Sequence, residues 1–117
     1  MIINKTDVFT ILKTFDKNSG KDIITIFDFF NEFNENYTNF KSDNLILDFS
    51  KNKDIDFNEI LLFLQKSEEH KNNNKSFVIV CNGIKFDKLP SNLIAVPTFK
   101  EAEDIIDIEN IERDLGI

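Results

Sequence analysis

The chain has 117 residues, a formal net charge of −7 and thirteen phenylalanines, but only three glycines and two prolines. This length accommodates one hydrophobic core, and the composition excludes a disordered chain and a turn-rich all-β sandwich. The acidic balance, with a pI near 4.6, argues against binding to nucleic acids and anionic membranes, because such binding depends on Lys and Arg.

The amino-terminal residues and the single cysteine bear on the cell compartment. Residues 1–5 lack the basic start and long apolar stretch of a secretory signal, and no later run reaches the roughly 18 apolar residues typical of a membrane span. We therefore expect a cytoplasmic protein without membrane insertion. Cys81 has no second cysteine to pair with, and its place at the end of an apolar run predicts a buried structural thiol.

The first third of the chain predicts a hairpin followed by a helix. Segment 8–14 alternates in the manner of a half-buried strand, and the preceding IIN predicts a short edge strand. Segment 21–36 has one apolar face at helical spacing, made by Ile23, Ile26, Phe27, Phe30 and Phe33. Ile24 and Phe29 fall outside this face. The preferred interpretation is a second side covered by the core, and the alternative is a contact surface for a homodimer.

Three uninterrupted apolar runs predict the remaining strands of a partly parallel sheet. These runs are NLILDF at 44–49, SFVIVC at 76–81 and LIAV at 93–96. Consecutive apolar residues are typical of strands buried on both faces. Pro90 and Pro97 frame the last run, and proline cannot donate ladder hydrogen bonds, so we expect the sheet to end there.

A final helix is predicted from Thr98 onward. Its inward residues are expected to be Phe99, Ala102, Ile105 and Ile106. The elements together predict an α/β fold with a mixed four- to five-stranded sheet and helices packed mainly on one face. We assign residues 1–106 to the domain and 107–117 to an acidic, helical carboxyl-terminal extension.

The acidic stretch before residue 60 predicts a helix start. Asp56 is followed three residues later by Glu59, which is the spacing of a capping box, and Ile55 and Ile60 have the spacing of a hydrophobic staple. The inward stripe of this helix is expected to be Phe57, Ile60, Leu61 and Leu64. The polar segment 70–75 should then connect the helix to the next strand. On this interpretation the carboxylates serve backbone amides of their own chain.

The same acids suggest two alternatives. A divalent-metal site would use Asp48, Asp54, Asp56 and Glu59, because hard cations take several oxygen ligands. The EF-hand pattern of a central glycine and a closing glutamate is absent. Asp48 also resembles the phosphoacceptor of response-regulator receivers, but the acidic pair that receivers use to hold magnesium is missing, since only Asp7 and Asp16 follow the first strands.

The order of elements resembles a known family over roughly residues 8–106. A hairpin, a helix, LILDFS, a capped helix, FVIVCNG, a short LIAV strand and PTFKEAEDII follow one another. This order resembles the STAS domain of anti-sigma-factor antagonists and sulfate transporters. In that family a strand ending in Leu-Asp-Leu-Ser leads to an Asp-Ser-Ser/Thr-Gly turn at a helix start, whereas the turn here is Asp56-Phe57-Asn58-Glu59.

The resemblance implies a protein-binding domain without a phosphorylation switch. If the aspartates match, Asn58 replaces the phosphorylated hydroxyl and Glu59 replaces the glycine; an amide does not accept a stable phosphoryl group. We therefore expect a non-catalytic regulatory domain without a cofactor. Its partner protein, which the sequence does not identify, would contact a switch loop of Asp54, Asp56, Phe57, Asn58 and Glu59. The alternatives are a metal- or small-ligand-binding protein that uses loop 54–59, and a homo-oligomeric structural module.

The carboxyl-terminal sequence IERDLGI resembles short bacterial proteins that are sometimes called ribonuclease Z, a zinc-dependent hydrolase. Such enzymes need a His-x-His-x-Asp-His cluster, whereas His70 is the only histidine. His70 lies beside Lys71 near a predicted helix end, where we expect it to interact with the helix dipole. The sequence also lacks a glycine-rich phosphate loop, and we expect no enzymatic activity.

The last twenty residues carry most of the excess negative charge. Ile108, Ile111 and Leu115 recur at i, i+3 and i+7, which predicts a helix that Gly116 ends. The preferred alternative is a solvated helix docked on its own domain. The other is an acidic amphipathic helix that binds a basic groove of a partner. That surface would consist of Ile108, Ile111, Glu112, Arg113, Asp114 and Leu115.

Overall fold

The computed structural model describes residues 1–16, 18 and 23–116. Its sheet contains β1 (Ile2–Lys5), β2 (Thr10–Lys13), β3 (Leu45–Asp48), β4 (Phe77–Val80) and β5 (Ile94–Val96). Its helices are α1 (Ile26–Asn36), α2 (Phe57–Leu61), α3 (Leu64–Asn72) and α4 (Phe99–Leu115), with short 3₁₀ turns at Tyr37–Asn39 and Phe86–Lys88.

The five strands lie in chain order across one mixed sheet. β1 pairs with β2 in antiparallel fashion, and β2 to β5 are parallel neighbours. The α/β class and the mixed sheet are thus confirmed. All parallel strands end at one side of the sheet, which we call the carboxyl edge, formed by the segments 49–59 and 81–88. The opposite side, formed by 42–44 and 74–76, is the amino edge.

The connections place α1, α2 and α3 on one face of the sheet. Right-handed crossovers between parallel strands that follow chain order all pass over the same face. An aromatic core fills this side, and Phe33 contacts the rings of Phe29, Phe63 and Phe77 at centroid distances of 5.8 to 6.5 Å. Within the described residues no strand follows α4, so this helix can cross to the other face, where Ala102 and Ile106 join the cluster of Ile46, Val78 and Val80.

The predicted apolar face of α1 was partly wrong. Helix α1 begins at Ile26, because the Thr25 hydroxyl caps it by accepting from the Asp28 amide. Its buried side consists of Ile26, Phe29 and Phe33, whereas Phe27 is 59% exposed. Both sets have helical spacing, and packing against the sheet selects the second. Residues 21 and 22 of the predicted helix lie outside the described residues.

For Ile24 and Phe29 the preferred interpretation, a second covered side of the helix, is confirmed, and the alternative of a contact surface is wrong for Phe29. Phe29 is fully buried and Ile24 is half-buried against the same core. Phe29 stacks edge-to-face on Phe49 at 4.9 Å. These two residues are therefore part of the core. Because Phe29 is fully buried, it does not contribute to a homodimer surface.

The helix that starts after Asp56 is divided into two. α2 ends at Leu61, a tighter turn follows in which the Phe63 amide donates to the Ile60 carbonyl at 3.1 Å, and α3 begins at Leu64. This turn places Phe63 against four other phenylalanine rings. α3 continues to Asn72, into the predicted loop, and Asn74 has a left-handed φ of 63°.

The two carboxyl-terminal elements follow their predictions with one difference. β5 is only half-buried, because it lies at the end of the sheet with one strand neighbour. α4 is capped by Thr98, runs without interruption across residue 106 and ends at Gly116, which has a φ of 73°. None of the helices in the described ranges combines the length and apolarity that crossing a bilayer requires.

Candidate functional site

The two predicted partner-binding segments lie at opposite edges of the sheet. Loop 54–59 follows β3 at the carboxyl edge, whereas the end of α4 reaches the amino edge, where Arg113 contacts Asn44 and Ser76. β3 spans four residues, so at least about 13 Å of sheet separates the edges. The structure therefore does not combine these segments into one surface.

The predicted capping box at the start of α2 is confirmed. One carboxylate oxygen of Asp56 accepts from the Asn58 amide at 3.1 Å, and Glu59 Oε1 accepts from the Asp56 amide at 2.8 Å. Ile55 and Ile60 are both buried in the same core cluster, as the staple requires. Asp54 precedes this cap with a left-handed φ of 60°. The loop is thus fixed by its own side chains.

The acids of this edge are not gathered around a common point. Asp48 is 8% exposed, and its Oδ1 accepts from the Ser50 amide at 2.9 Å. Within the part of the chain that the structure describes, no group of three or more His, Cys, Asp or Glu side chains is placed to hold a metal ion. The carboxylates of Asp48, Asp56 and Glu59 accept hydrogen bonds from backbone amides.

Phe57 lines a cleft beside the capped loop. This cleft has a volume of about 370 Å³ and is lined by Phe57, Gly83, Ile84, Lys85 and Lys88. It brings apolar surface together with two cations, next to the exposed acids of the loop. Gly83 turns the chain away from β4 with a φ of 85°, a backbone conformation that residues other than glycine rarely adopt.

The sequence prediction missed residues 83–88 of this cleft. The available signal was topological: β3 and β4 were both predicted as central parallel strands, and residues that follow adjacent parallel strands meet at the carboxyl edge, where ligands bind in open α/β sheets. The cleft also depends on the 3₁₀ turn Phe86–Lys88, whose side-chain positions the sequence pattern does not predict.

A polar bridge fixes the segment before the loop. Asn52 Nδ2 donates to the Ile24 carbonyl at 2.7 Å, and the Thr14 hydroxyl donates to Asn52 Oδ1. The bridge ties the end of β2, the entry to α1 and the β3–α2 loop together. It gives the carboxyl edge a defined backbone before any partner binds.

His70 is a buried core residue, and its predicted role at the helix dipole is corrected. Its side chain is fully buried, with Nε2 2.7 Å from the Asp43 carbonyl and Nδ1 2.6 Å from the Tyr37 hydroxyl. A carbonyl only accepts, so Nε2 carries the proton and Nδ1 accepts from Tyr37. Burial lowers the pKa of His70 and is also the main cause that raises the pKa of Tyr37.

The tail of α4 is docked through polar residues. Arg113 donates to Asn44 Oδ1 at 3.2 Å and to Ser76 Oγ at 3.0 Å, and Asn110 Oδ1 accepts from Asn44 Nδ2 at 3.3 Å. The preferred sequence interpretation, a docked helix, is correct for this polar side. The apolar residues of the tail are exposed, at 57% for Ile108, 58% for Ile111 and 68% for Leu115.

Cys81 is the buried thiol that its apolar surroundings predicted. Its side chain is 0% exposed at the end of β4. Burial raises the pKa of this thiol to about 11. The group is therefore protonated near neutral pH and is a poor nucleophile.

No model of a known protein family matches the chain, and a search among curated proteins finds no similar sequence. The resemblance to STAS domains therefore depends on the quoted motifs and on the order of the elements, and it stays a prediction.

Proposed function

We propose that the chain is a non-catalytic, STAS-like regulatory domain that binds a protein partner at the carboxyl edge of its sheet. The binding surface consists of the switch loop 54–59 and the cleft beside it. The observation that carries this proposal is the position of Phe57. This residue directly follows the cap and lines an open cleft together with Ile84, Lys85 and Lys88.

The fixed geometry of the loop supports a binding role. Asp56 and Glu59 satisfy amides at the helix start, so the loop already has one conformation, and a preorganised surface loses less conformational entropy on binding. Asn58 stands where the STAS resemblance places a phosphorylated hydroxyl, and its amide donates to Asp56. The proposed domain thus binds its partner constitutively.

The cleft indicates the chemistry of the partner. Apolar anchors that enter a pocket dominate many protein interfaces, and charged residues around them provide specificity. An apolar or aromatic side chain of the partner would pack on Phe57 and Ile84. Carboxylates next to that side chain would pair with Lys85 and Lys88.

Purification of the tagged chain from its source cells, followed by mass spectrometry, tests the proposal. We expect a stoichiometric protein whose recovery falls about tenfold with Lys88→Glu, because charge reversal places a repulsive group at the cleft. Lys41→Glu is the matched control, since both lysines are exposed and Lys41 precedes β3 at the other edge. Its recovery should equal that of the wild type.

A second substitution separates apolar from electrostatic binding. Ile84→Ser should reduce recovery of the same protein. Because Ile84 is half-buried and packs against the core, circular dichroism checks that the variant is folded at the temperature of purification. Equal recovery with all variants, or no stoichiometric protein at all, contradicts the proposal.

A further inference from the structure

Helix α4 has two apolar sides that point in opposite directions. Ala102 and Ile106 in its first half are fully buried against the sheet. Ile108, Ile111 and Leu115 in its second half form an exposed stripe. The step of two residues from Ile106 to Ile108 rotates the side-chain direction by about 200°. The apolar side therefore moves from the sheet to solvent within one continuous helix.

Polar contacts hold the second half in this orientation. Asn110 and Arg113 bond to Asn44 and Ser76 at the amino edge. These two residues lie on the side of the helix turned away from the stripe, because each helical residue advances about 100°. The stripe is thus exposed although the helix is docked on its own domain. A rotation that buried the stripe would break the bonds of Arg113.

Carboxylates surround the stripe. Helical geometry places Asp107, Glu112 and Asp114 along its borders and Asp104 in line with it, one turn before Ile108, and all four are exposed. Lys100, the cation at the start of the helix, is paired with Asp104 at 2.7 Å. The surface is therefore an apolar strip between acidic borders, and its complement is an apolar strip between basic borders.

We propose that the second half of α4 binds a basic amphipathic helix of another protein, at a surface separate from the cleft at the carboxyl edge. The apolar side of that helix would cover Ile108, Ile111 and Leu115, and its Lys or Arg side chains would pair with the bordering carboxylates. A second copy of this chain does not fit, because two such stripes would bring their acidic borders together. This inference is independent of the proposed function.

A synthetic peptide provides the test. A peptide of about 18 residues, with Leu at i, i+3, i+4 and i+7 among Lys residues, is long enough to form a helix on binding. The chain contains no tryptophan, so one Trp in the peptide reports binding through the blue shift of its fluorescence. We expect micromolar binding by the full chain, and at least about tenfold weaker binding of a scrambled peptide with the same composition.

Matched variants assign the binding to the stripe. Joint substitution of Ile108→Ser and Ile111→Ser should weaken binding about tenfold or more. Ile23→Ser is the control: this residue is 50% exposed, close to the exposure of the two stripe residues, but precedes α1 near the carboxyl edge. Binding by this variant should equal that of the wild type. Circular dichroism confirms folding of each variant.

Charge reversal tests the acidic border. Glu112→Lys should weaken peptide binding, whereas Glu35→Lys, at an exposed glutamate in α1, should leave it unchanged. Affinity should also fall as salt rises from about 50 to 500 mM. Glu112 lies in the last turn of α4, where a lysine suits the helix dipole, so the variant should fold.

An NMR titration of the wild-type chain locates the binding surface without any variant. Amide chemical shifts in an NMR titration should change mainly within residues 104–115. Three results would overturn the proposal: equal affinity for the ordered and scrambled peptides, shift changes elsewhere, or sedimentation of the free chain as a dimer that Ile108→Ser and Ile111→Ser dissociate.

Discussion

The cap of α2 at the carboxyl edge and the buried His70 at the amino edge satisfy their polar groups in different ways. The cap is local, since Asp56 and Glu59 lie three positions apart and bond to the backbone beside them. The bonds of His70 are long-range, and they join this residue to Asp43 and Tyr37, which lie 27 and 33 positions away. Local bonds stabilise one turn, whereas buried long-range bonds link separate elements and should contribute more to global stability.

The largest effect is expected for His70→Ala. The substitution leaves a cavity and removes the partners of the Tyr37 hydroxyl and the Asp43 carbonyl, so the free energy of unfolding should fall by about 3 kcal/mol. Urea denaturation monitored by circular dichroism measures this loss. Tyr37→Phe is the milder comparison, because it removes one hydroxyl and keeps the ring. A loss below about 1 kcal/mol for His70→Ala would remove the contrast between the buried histidine and the local cap.

The next effect is a dependence of stability on pH. Burial lowers the pKa of His70 below its ordinary value of 6.5, so the unfolded chain binds a proton first as the pH falls. The contribution of His70 is complete above pH 6.5 and decreases as the pH falls from there toward the folded pKa. One proton limits the slope to about 1.4 kcal/mol per pH unit.

Urea midpoints between about pH 7.5 and 5.5 measure this slope, since most carboxylates stay ionised in that range. His70→Gln, which lacks a titrating ring, is the control and should have a flatter profile. The same slope in both proteins would assign the pH dependence to other groups.

The smallest effect concerns the local cap. Asp56→Ala removes the acceptor for the Asn58 amide and should lower the free energy of unfolding by about 1 kcal/mol. Glu59→Gln should have little effect, because the amide oxygen still accepts from the Asp56 amide. Thermal unfolding of the two variants checks the difference. If Asp56→Ala costs as much as His70→Ala, the distinction between local and long-range bonding does not hold.

The sequence predicted the features that depend on near neighbours. β3 and β4 are runs of consecutive apolar residues, which only a strand with two covered faces accommodates in a sheet. The capping box depends on spacing alone. The α/β class follows from these elements, because strands that alternate with helices favour parallel pairing.

The sequence failed where distant packing decides between equal patterns. In α1, Phe27 with Phe30 and Phe29 with Phe33 both have helical spacing, and the contact of Phe29 with Phe49 selects the second pair. The hydrogen-bond partners of His70 lie 27 and 33 positions away in the sequence, so local spacing could not reveal them. Prediction of the cleft requires the relative position of two loops. Prediction of the exposed stripe of α4 requires the hydrogen bonds of Arg113, which set the rotation of the helix.

Burial of Cys81 has a practical consequence. The thiol has no exposed area and a pKa of about 11, while thiolate is the form that alkylating reagents attack. Iodoacetamide should therefore modify this chain only during openings that expose β4. The rate at which this single thiol is alkylated therefore reports those openings, and any molecule that stabilises the folded chain should lower that rate.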